Sequence, residues 1–346
     1  MASMKSITIQ DVAQDTGLST ATVSRALNQP HLVKDDTLAL VRESVARLDY
    51  KPNIGGRLLA KRRSGKTICF LFSNRPFAHT IHARVLQGSA DEADAEQACV
   101  LYATCKYSPA DPPSGINVPP ILATRGLIDG IVAAGTNYAN IIPVLENIGL
   151  PYVVFGTNLI AGDDTVVAHS VYIDDEGGGF QATRHLLDLG HAKIRFVGDI
   201  SLPWYRRRYL GYARAMAEAG LTCEPPTGSR FAGEMEMGSK AVNDLLANGG
   251  SFTALFVAGD EAAIGAIRAL RSRGLTVPDD VSVVGFNDDE SARFSEPQLT
   301  TVCVPKEEAG SECVKMLQRL IANPDDPVEP VVLPTKLIER ESTSRK

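Results

Sequence analysis

No stretch of the 346-residue chain approaches the ~18 uninterrupted apolar residues that a membrane span requires. The first residues, MASMKSITIQ, also lack the apolar segment of a secretory signal. These absences predict a cytoplasmic protein with no membrane partner. Tryptophan occurs once, at position 204, and aromatic residues make up only 6% of the chain. The six cysteines, at 69, 99, 105, 223, 303 and 313, show no close pairing. Scattered through apolar segments, they read as reduced core residues rather than a disulfide framework or zinc site. Catalytic signatures are missing too: there is no G-x-S-x-G elbow, no H-E-x-x-H and no G-x-G-x-x-G, and Gly177 to Gly179 fall inside a helical stretch. The SGKT around Lys66 fails as a phosphate loop, because Ala60 stands where its first glycine belongs and a strand follows instead of preceding it. His79 and His82 are one helical turn apart but have no acidic or thiol partner nearby, so they read as polar residues at a pocket mouth. No enzyme, metal or cofactor is expected.

What is present is length for two or three domains and an uneven charge. The net charge is −6, which alone argues against a nucleic-acid partner. Residues 1–66, however, hold eleven Lys and Arg against six Asp and Glu, and the remainder holds 24 against 35. A basic head on an acidic body is the electrostatic footprint of a protein that docks one end on phosphate.

Residues 8–28, TIQDVAQDTGLSTATVSRALN, organise that head. Thr8 followed by Asp11 reads as a capping box, Val12 and Ala13 as an apolar face, and Gly17 as a helix stop. Ser19 is a second N-cap, after which Val23, Ala26 and Leu27 fall at helical spacing. The second helix then points Thr20, Ala21, Thr22, Ser24 and Arg25 outward, side chains that let it lie close against base edges. A generic helical hairpin shares this pattern. Asn28 opens a loop containing Pro30, and Leu38, Val41, Val45 and Leu48 predict a third helix over 35–48. Lys34 is an unusual cap for it, leaving Asp35 and Asp36 to satisfy the positive helix end. Asn53 is the N-cap candidate of a short hinge helix, where Gly55 and Gly56 each cost about 1 kcal/mol relative to Ala.

From Thr67 the apolar runs TICFLF, ACVLYAT, GLIDGIVAA, PYVVFGT, SVYID, IRFVGD, ALFVAG and VSVVGF alternate with helical stretches at 79–97, 137–148, 176–189, 205–219, 239–247 and 261–273. Such alternation specifies parallel sheets covered by helices. Two sets of four strands predict two lobes, with PQLTTV (297–302) crossing back to the first, 306–322 as a last long helix and VVLPTKLIER as a final extended segment.

The 8–28 segment, followed by VARLDYKPN and GGRLLAKRRSGKTI, resembles the DNA-binding headpiece and hinge of the lactose-repressor (LacI/GalR) family of bacterial transcription regulators. GLIDGIV, HLLDLGHAKIRFVGD, ALFVAGDEAAIGAIRALRSRGLTVPDDVSVVGFNDDE, PQLTTV and LIERES resemble that family's effector-binding core, in order. The resemblance implies a small all-α helix-turn-helix headpiece (1–52), a hinge and linker (53–66), and a two-lobed periplasmic-binding-protein-like α/β core with parallel sheets (67–346). It implies a homodimeric repressor on a near-palindromic double-stranded DNA operator, controlled by a small effector, a sugar or sugar acid. Only ESTSRK follows LIER, with no leucine-heptad helix, so a dimer is expected rather than a tetramer. A solute-binding transport protein shares the core but not the headpiece.

DNA contacts are expected from Thr8, Ser19, Thr20, Ala21, Thr22, Ser24, Arg25, Asn28, Asn53 and Leu59, the last as a minor-groove wedge at a central step such as CG, with packing between hinge helices as its alternative. For the effector, Ser73, Asn74, Arg75 and Phe77 follow the first strand and would line one side. Arg208, in RRRYLGY, matches the family's effector-reaching arginine, whereas Arg206 and Arg207 read as surface salt-bridge residues. Gly259 and Asp260 begin a helix after ALFVA, and Asn287 stands where many relatives have an effector-binding Asp. Trp204 suits either stacking on a sugar ring or the core. With Asn287 neutral and Arg208 and Arg75 nearby, an acidic effector is favoured over a neutral sugar.

Overall fold

The computed structural model describes residues 7–48, 50, 66–75, 80–124, 126–156, 169–228, 233–325 and 327–346. The hinge candidates Asn53 and Leu59, the cleft candidate Phe77 and His79 lie outside these described residues. The chain divides into two compact units, Met1–Gly65 and Lys66–Lys346.

In the first unit, local caps set the helices. Helix α1 (Ile9–Thr16) opens on a capping box in which the Thr8 side chain accepts from the Asp11 N–H and the Asp11 carboxylate accepts from the Thr8 N–H at 2.6 Å. It closes at Gly17, whose φ of +68° is left-handed. Helix α2 (Thr20–Asn28) is capped by Ser19 Oγ, which accepts from the Thr22 N–H at 3.1 Å. Helix α3 (Asp35–Arg47) begins at Lys34 with no side-chain cap, and Asp35 and Asp36 occupy its first turn. Val12, Ala13, Val23, Ala26 and Val41 are buried where the three helices meet. Asp15 ties α1 to α3, accepting from Ser44 Oγ and Arg47, and these bonds hold its carboxyl below the usual range.

The second unit is two-lobed. Strands β1 (Thr67–Ser73), β2 (Cys99–Cys105), β3 (Gly130–Gly135), β4 (Tyr152–Phe155) and β5 (Ser170–Ile173) are packed with α4 (Thr80–Ala95), α5 (Pro120–Ala123) and α6 (Ile142–Ile148). There follow α7 (Asp175–Asp188), β6 (Ile194–Val197), α8 (Pro203–Glu218), α9 (Glu234–Ala247), β7 (Ala254–Val257), α10 (Asp260–Ser272), β8 (Ser282–Asn287), α11 (Glu290–Phe294) and β9 (Thr300–Cys303). The chain ends with α12 (Lys306–Ala322), β10 (Val331–Leu333) and β11 (Lys336–Ile338). One sheet runs β10-β5-β4-β3-β1-β2, all parallel; the other runs β11-β9-β8-β7-β6, parallel except for β11. β1 is buried on both faces, with Phe70 and Phe72 toward one cluster and Cys69 and Leu71 toward another, as a central parallel strand must be.

Two sequence expectations need correction. The strands do not divide four and four: SVYID (β5) belongs to the first sheet, beside β4. PQLTTV is not itself the return crossing, because Thr300–Cys303 pairs with β8 as a strand of the second sheet. The return comes after it, through Val304 and Pro305 into α12, which packs on α4. The final extended segment splits, β10 joining the first sheet and β11 the second. The chain therefore passes between lobes at Asp174, at Val304–Pro305 and at Pro334–Thr335.

Helix pairs in both lobes are drawn together by reciprocal glycines. A Cβ on Gly88 would lie 1.9 Å from Glu307 O and one on Gly310 2.0 Å from Val85 O, which locks α4 against α12. Gly179 and Gly211 do the same for α7 and α8, and Gly238 and Gly265 for α9 and α10.

Candidate functional site

On α2 the side chains of Thr20, Ala21 and Arg25 are exposed, and those of Thr22 and Ser24 are half-buried. The hydroxyls of Ser19 and Thr22 lie 2.8 Å apart, so the start of the helix is held by its own hydrogen bonds. Thr8 is exposed and committed to its capping box, its hydroxyl donating to Asp11 Oδ2 at 2.7 Å. Asn28 is the last residue of α2. The helix thus presents a short-chained face carrying one guanidinium, the surface that major-groove contact requires.

The second candidate site is the cleft between the lobes. It holds about 600 Å³ of unfilled space, some of it open to solvent, and Trp204, Arg208, Asn287 and Arg75 all line it. Three of these come from the ends of second-lobe elements. Trp204 and Arg208 are four residues apart on α8, hence on one face, and Asn287 is the last residue of β8. Arg75 comes from the first lobe, just beyond β1. Its Nε donates to Thr136 Oγ1 at 2.7 Å, and its guanidinium lies 4.8 Å from the Trp204 ring centroid. Trp204 is 8% exposed, so it is both a packed residue and a wall of the cleft.

Arg208 is buried and charge-balanced. Its Nε donates to Asp175 Oδ1 at 2.9 Å, its Nη1 donates to the Ala258 carbonyl, and its Cζ lies 3.7 Å from the Phe286 ring centroid. Arg207 is not the surface residue its sequence context suggested: it lines the cleft and donates through Nη2 to Asp175 Oδ2 at 2.9 Å. Both arginines share one carboxylate, which begins α7 directly after the first crossing. Tyr205 is buried beside them; desolvation and then the neighbouring Glu234 push its hydroxyl well above the ordinary range, so it stays protonated.

Asn287 has the strained geometry of the site. Its φ is +115°, it is buried, and its Oδ1 has no hydrogen-bond partner among the described residues. Its carbonyl accepts from Lys306 Nζ at 2.6 Å, and that buried ammonium also binds the Asp288 carbonyl and pairs with Asp289 at 3.1 Å. Strain of this kind persists only where the surroundings impose it.

The other sequence candidates are placed less uniformly. Asp260 is absent from the cleft lining: it is fully buried, its Oδ1 accepting from Thr301 Oγ1 at 2.6 Å and its Oδ2 from the Asp289 N–H at 2.7 Å. Gly259 sits beside Tyr205 and Glu234, where a Cβ would come within 2.9 Å of Glu234 Oε2. Ser73 is buried at the end of β1, and Asn74 bridges strand ends rather than lining the main cleft. Sequence reasoning missed Asp175, Tyr205, Glu234 and Lys306 as cleft or crossing residues. A DEGGG helix start facing an RRR triplet was the one available signal, and it was ambiguous. Among the described residues no group of three or more His, Cys, Asp or Glu is placed to hold a metal, and no helix is long and apolar enough to cross a membrane.

Comparison with known proteins covers both units. Residues 8–53 match the family profile described as bacterial regulatory proteins, lacI family, and residues 183–343 match a periplasmic binding protein-like domain. The HTH-type transcriptional repressor PurR of Haemophilus influenzae is 34% identical over 328 residues, 93% of each chain. The Lac repressor dimer bound to operator and the anti-inducer ONPF superposes with a TM-score of 0.79 at 26% identity, covering 98% of this chain and 100% of that one. The transcriptional regulator CelR in complex with cellobiose gives 0.67 at 27% identity, covering 97% and 99%. With a helix-turn-helix headpiece, a two-lobed parallel α/β core and full-length relatives of this kind, the chain belongs to the LacI family of bacterial regulatory proteins and is a DNA-binding transcriptional regulator.

Proposed function

We propose that this regulator is a cytoplasmic repressor without enzymatic activity, that it binds a near-palindromic operator as a homodimer, and that a carbohydrate-like effector in the inter-lobe cleft sets its operator affinity. The observation that carries the effector half is Asn287. Its buried Oδ1 lacks a donor among the described residues, on a strained backbone in the cleft wall. Leaving a buried acceptor unpaired costs on the order of 1–3 kcal/mol, and a ligand hydroxyl would supply the missing bond. Trp204, Tyr205 and Phe155 add flat surfaces suited to a sugar ring. Arg208, its charge already met by Asp175, offers oriented N–H donors rather than net charge. Arg75 would bound the ligand from the first lobe, while Ser73, buried at the end of β1, and Asn74, which bridges the strand ends, would support it from behind. The solved complex of CelR with cellobiose supports this reading.

For the DNA half, Thr20, Ala21 and Arg25 would meet base edges, and Thr8, Ser19, Thr22, Ser24 and Asn28 would position the helix on the backbone, with Asn53 and Leu59 acting from the hinge. One headpiece reads one half-site, so a palindrome needs a twofold dimer; the Lac repressor dimer on its operator supports that arrangement. The effector changes operator affinity by the difference in its own affinity for the two lobe arrangements.

Thermal-shift screening against neutral sugars and their acids tests the effector half. A ligand present at ~100 times its Kd adds about 2.7 kcal/mol of stability. Asn287→Ala and Trp204→Leu should remove most of that shift. A shift undiminished in both variants would place the ligand elsewhere.

A further inference from the structure

A second crevice adjoins the main cleft and is bounded by Asn74, Arg75, Lys106, Tyr107 and Tyr138. Its position follows from topology. In the first sheet β1 lies between β2 and β3, so the chain reverses direction across the sheet between β1 and β3, and open α/β sheets bind ligands at the carboxyl ends of strands at such a switch point. Asn74 and Arg75 follow β1, Lys106 and Tyr107 follow β2, and Tyr138 lies just beyond β3.

The crevice is built by directed hydrogen bonds. Asn74, at a left-handed φ of +56°, donates through Nδ2 to the Thr136 carbonyl at 3.0 Å and accepts through Oδ1 from the Tyr107 N–H at 2.9 Å. One side chain thereby holds all three strand ends. The Tyr107 hydroxyl accepts from the Tyr138 N–H at 3.2 Å and donates to Asn137 Oδ1 at 3.3 Å, and the two tyrosine rings meet edge to face at 5.8 Å. Gly135 has no room for a Cβ, which would fall 2.2 Å from the Ser73 carbonyl, so any side chain at that position would force β1 and β3 apart.

Charge separates this crevice from its neighbour. In the main cleft Arg207 and Arg208 face Asp175 and Glu234. Among the described residues that line the adjoining crevice there are two cations, Arg75 and Lys106, and no carboxylate. Lys106 is exposed and makes no ion pair among the described residues. The acid nearest in sequence, Asp111, accepts from the Ser108 N–H at 2.7 Å. Arg75 borders both spaces, with its Nε fixed on Thr136 and its face over Trp204.

Building on the carbohydrate reading of the main cleft, we propose that the effector is a sugar with an anionic terminus, its ring against Trp204 and Asn287 and its phosphate or carboxylate in the crevice between Arg75 and Lys106. The anion-recognising end is therefore this crevice and not Arg208, whose charge Asp175 already neutralises. Two cations at the rim select the charge, and the Tyr107–Tyr138 wall limits the width of the group that carries it.

Isothermal titration calorimetry of the full chain tests this with aldohexoses and aldopentoses, their terminal phosphates, their sugar acids and inorganic phosphate. At least one anionic sugar should bind 10-fold or more tightly than its neutral parent. That ratio should fall with added salt, collapse toward one in Lys106→Ala and be largely kept in Lys106→Arg; the phosphate and acid arms identify which anion is read. Parent sugars binding as tightly as every anionic partner, or a ratio untouched by Lys106→Ala, would overturn the proposal while leaving the main cleft a sugar site. Binding of inorganic phosphate alone would overturn it as a general anion hole. Binding of none of the probes by protein that still binds its operator would overturn both readings.

Discussion

The guanidinium of Arg75, in the first lobe, lies 4.8 Å from the ring centroid of Trp204, in the second. A cation over an indole face is worth about 0.5–2 kcal/mol depending on solvent exposure, and this pair spans the cleft that an effector must enter. Because Trp204 is the only tryptophan, its fluorescence reports on the cleft alone. Arg75→Ala should change the emission of the ligand-free protein, and effector should change that of the wild type. Identical spectra for wild type and Arg75→Ala would mean that the stack is not populated in solution.

Lys306 should be the most costly single cation to remove from the core. Its ammonium is buried at the return crossing, bound to two carbonyls and to Asp289, and Asp289 also accepts from Thr80 Oγ1 at 3.2 Å. First-lobe Thr80 and Lys306 thus grip the loop that carries Asn287. Lys306→Met strands the buried Asp289 carboxylate and should lower stability by about 3–5 kcal/mol in urea denaturation. Adding Asp289→Asn should restore part of it. A loss below about 1 kcal/mol would show the pair to be hydrated and of little structural weight.

Asp260 should make the core less stable as pH rises. Burial pushes its carboxyl up to about 8 and Asp289 adds to that push, while the Thr301 hydroxyl, the Asp289 N–H and Lys306 oppose it. A folded pKa above the ordinary 3.8 means that the folded protein keeps a proton which the unfolded chain releases. The contribution is complete below the unfolded value and is lost as pH climbs toward 8. The difference in urea midpoint between wild type and Asp260→Asn, followed from pH 5 to 8, should therefore move against wild type. A flat or opposite difference would show Asp260 to be ionised throughout.

On the DNA side, Arg25→Ala should cost about 1–3 kcal/mol of operator affinity and relax specificity at one position per half-site. Equal weakening on every sequence would instead make Arg25 a phosphate contact. The check is a competition titration against operators changed one base pair at a time.

What the sequence made legible was what local chemistry decides. Thr8, Asp11, Gly17 and Ser19 each act within a turn of their own position, so the headpiece could be read directly. Alternating runs reveal parallel strands but not their partners, since membership of a sheet depends on long-range pairing; run order alone puts β5 with the wrong lobe for that reason. The same limit governs the cleft. The family resemblance points to Arg208 and Asn287 and the lone tryptophan to Trp204, all of which line the cleft, whereas Asp175, 33 residues before Arg208, carries no signal until the chain folds. Asp260 sits at the right helix start and turns the other way, because Thr301 and the Asp289 N–H claim both its oxygens. Gly179 and Gly211 look like weak points in helices until α7 and α8 are brought into backbone contact.

If the headpiece binds DNA and occupancy of the cleft sets the affinity, the two functions must be separable in one titration. Fluorescence anisotropy with a labelled fragment from upstream of the protein's own gene tests it most directly, using the full chain and a chain lacking residues 1–66, each titrated with the effector found by thermal shift. The full chain should bind with an affinity that effector changes, Asn287→Ala should bind DNA but no longer respond, and the shortened chain should bind effector but not DNA. DNA binding that is unaffected by saturating effector, or retained without residues 1–66, would contradict it.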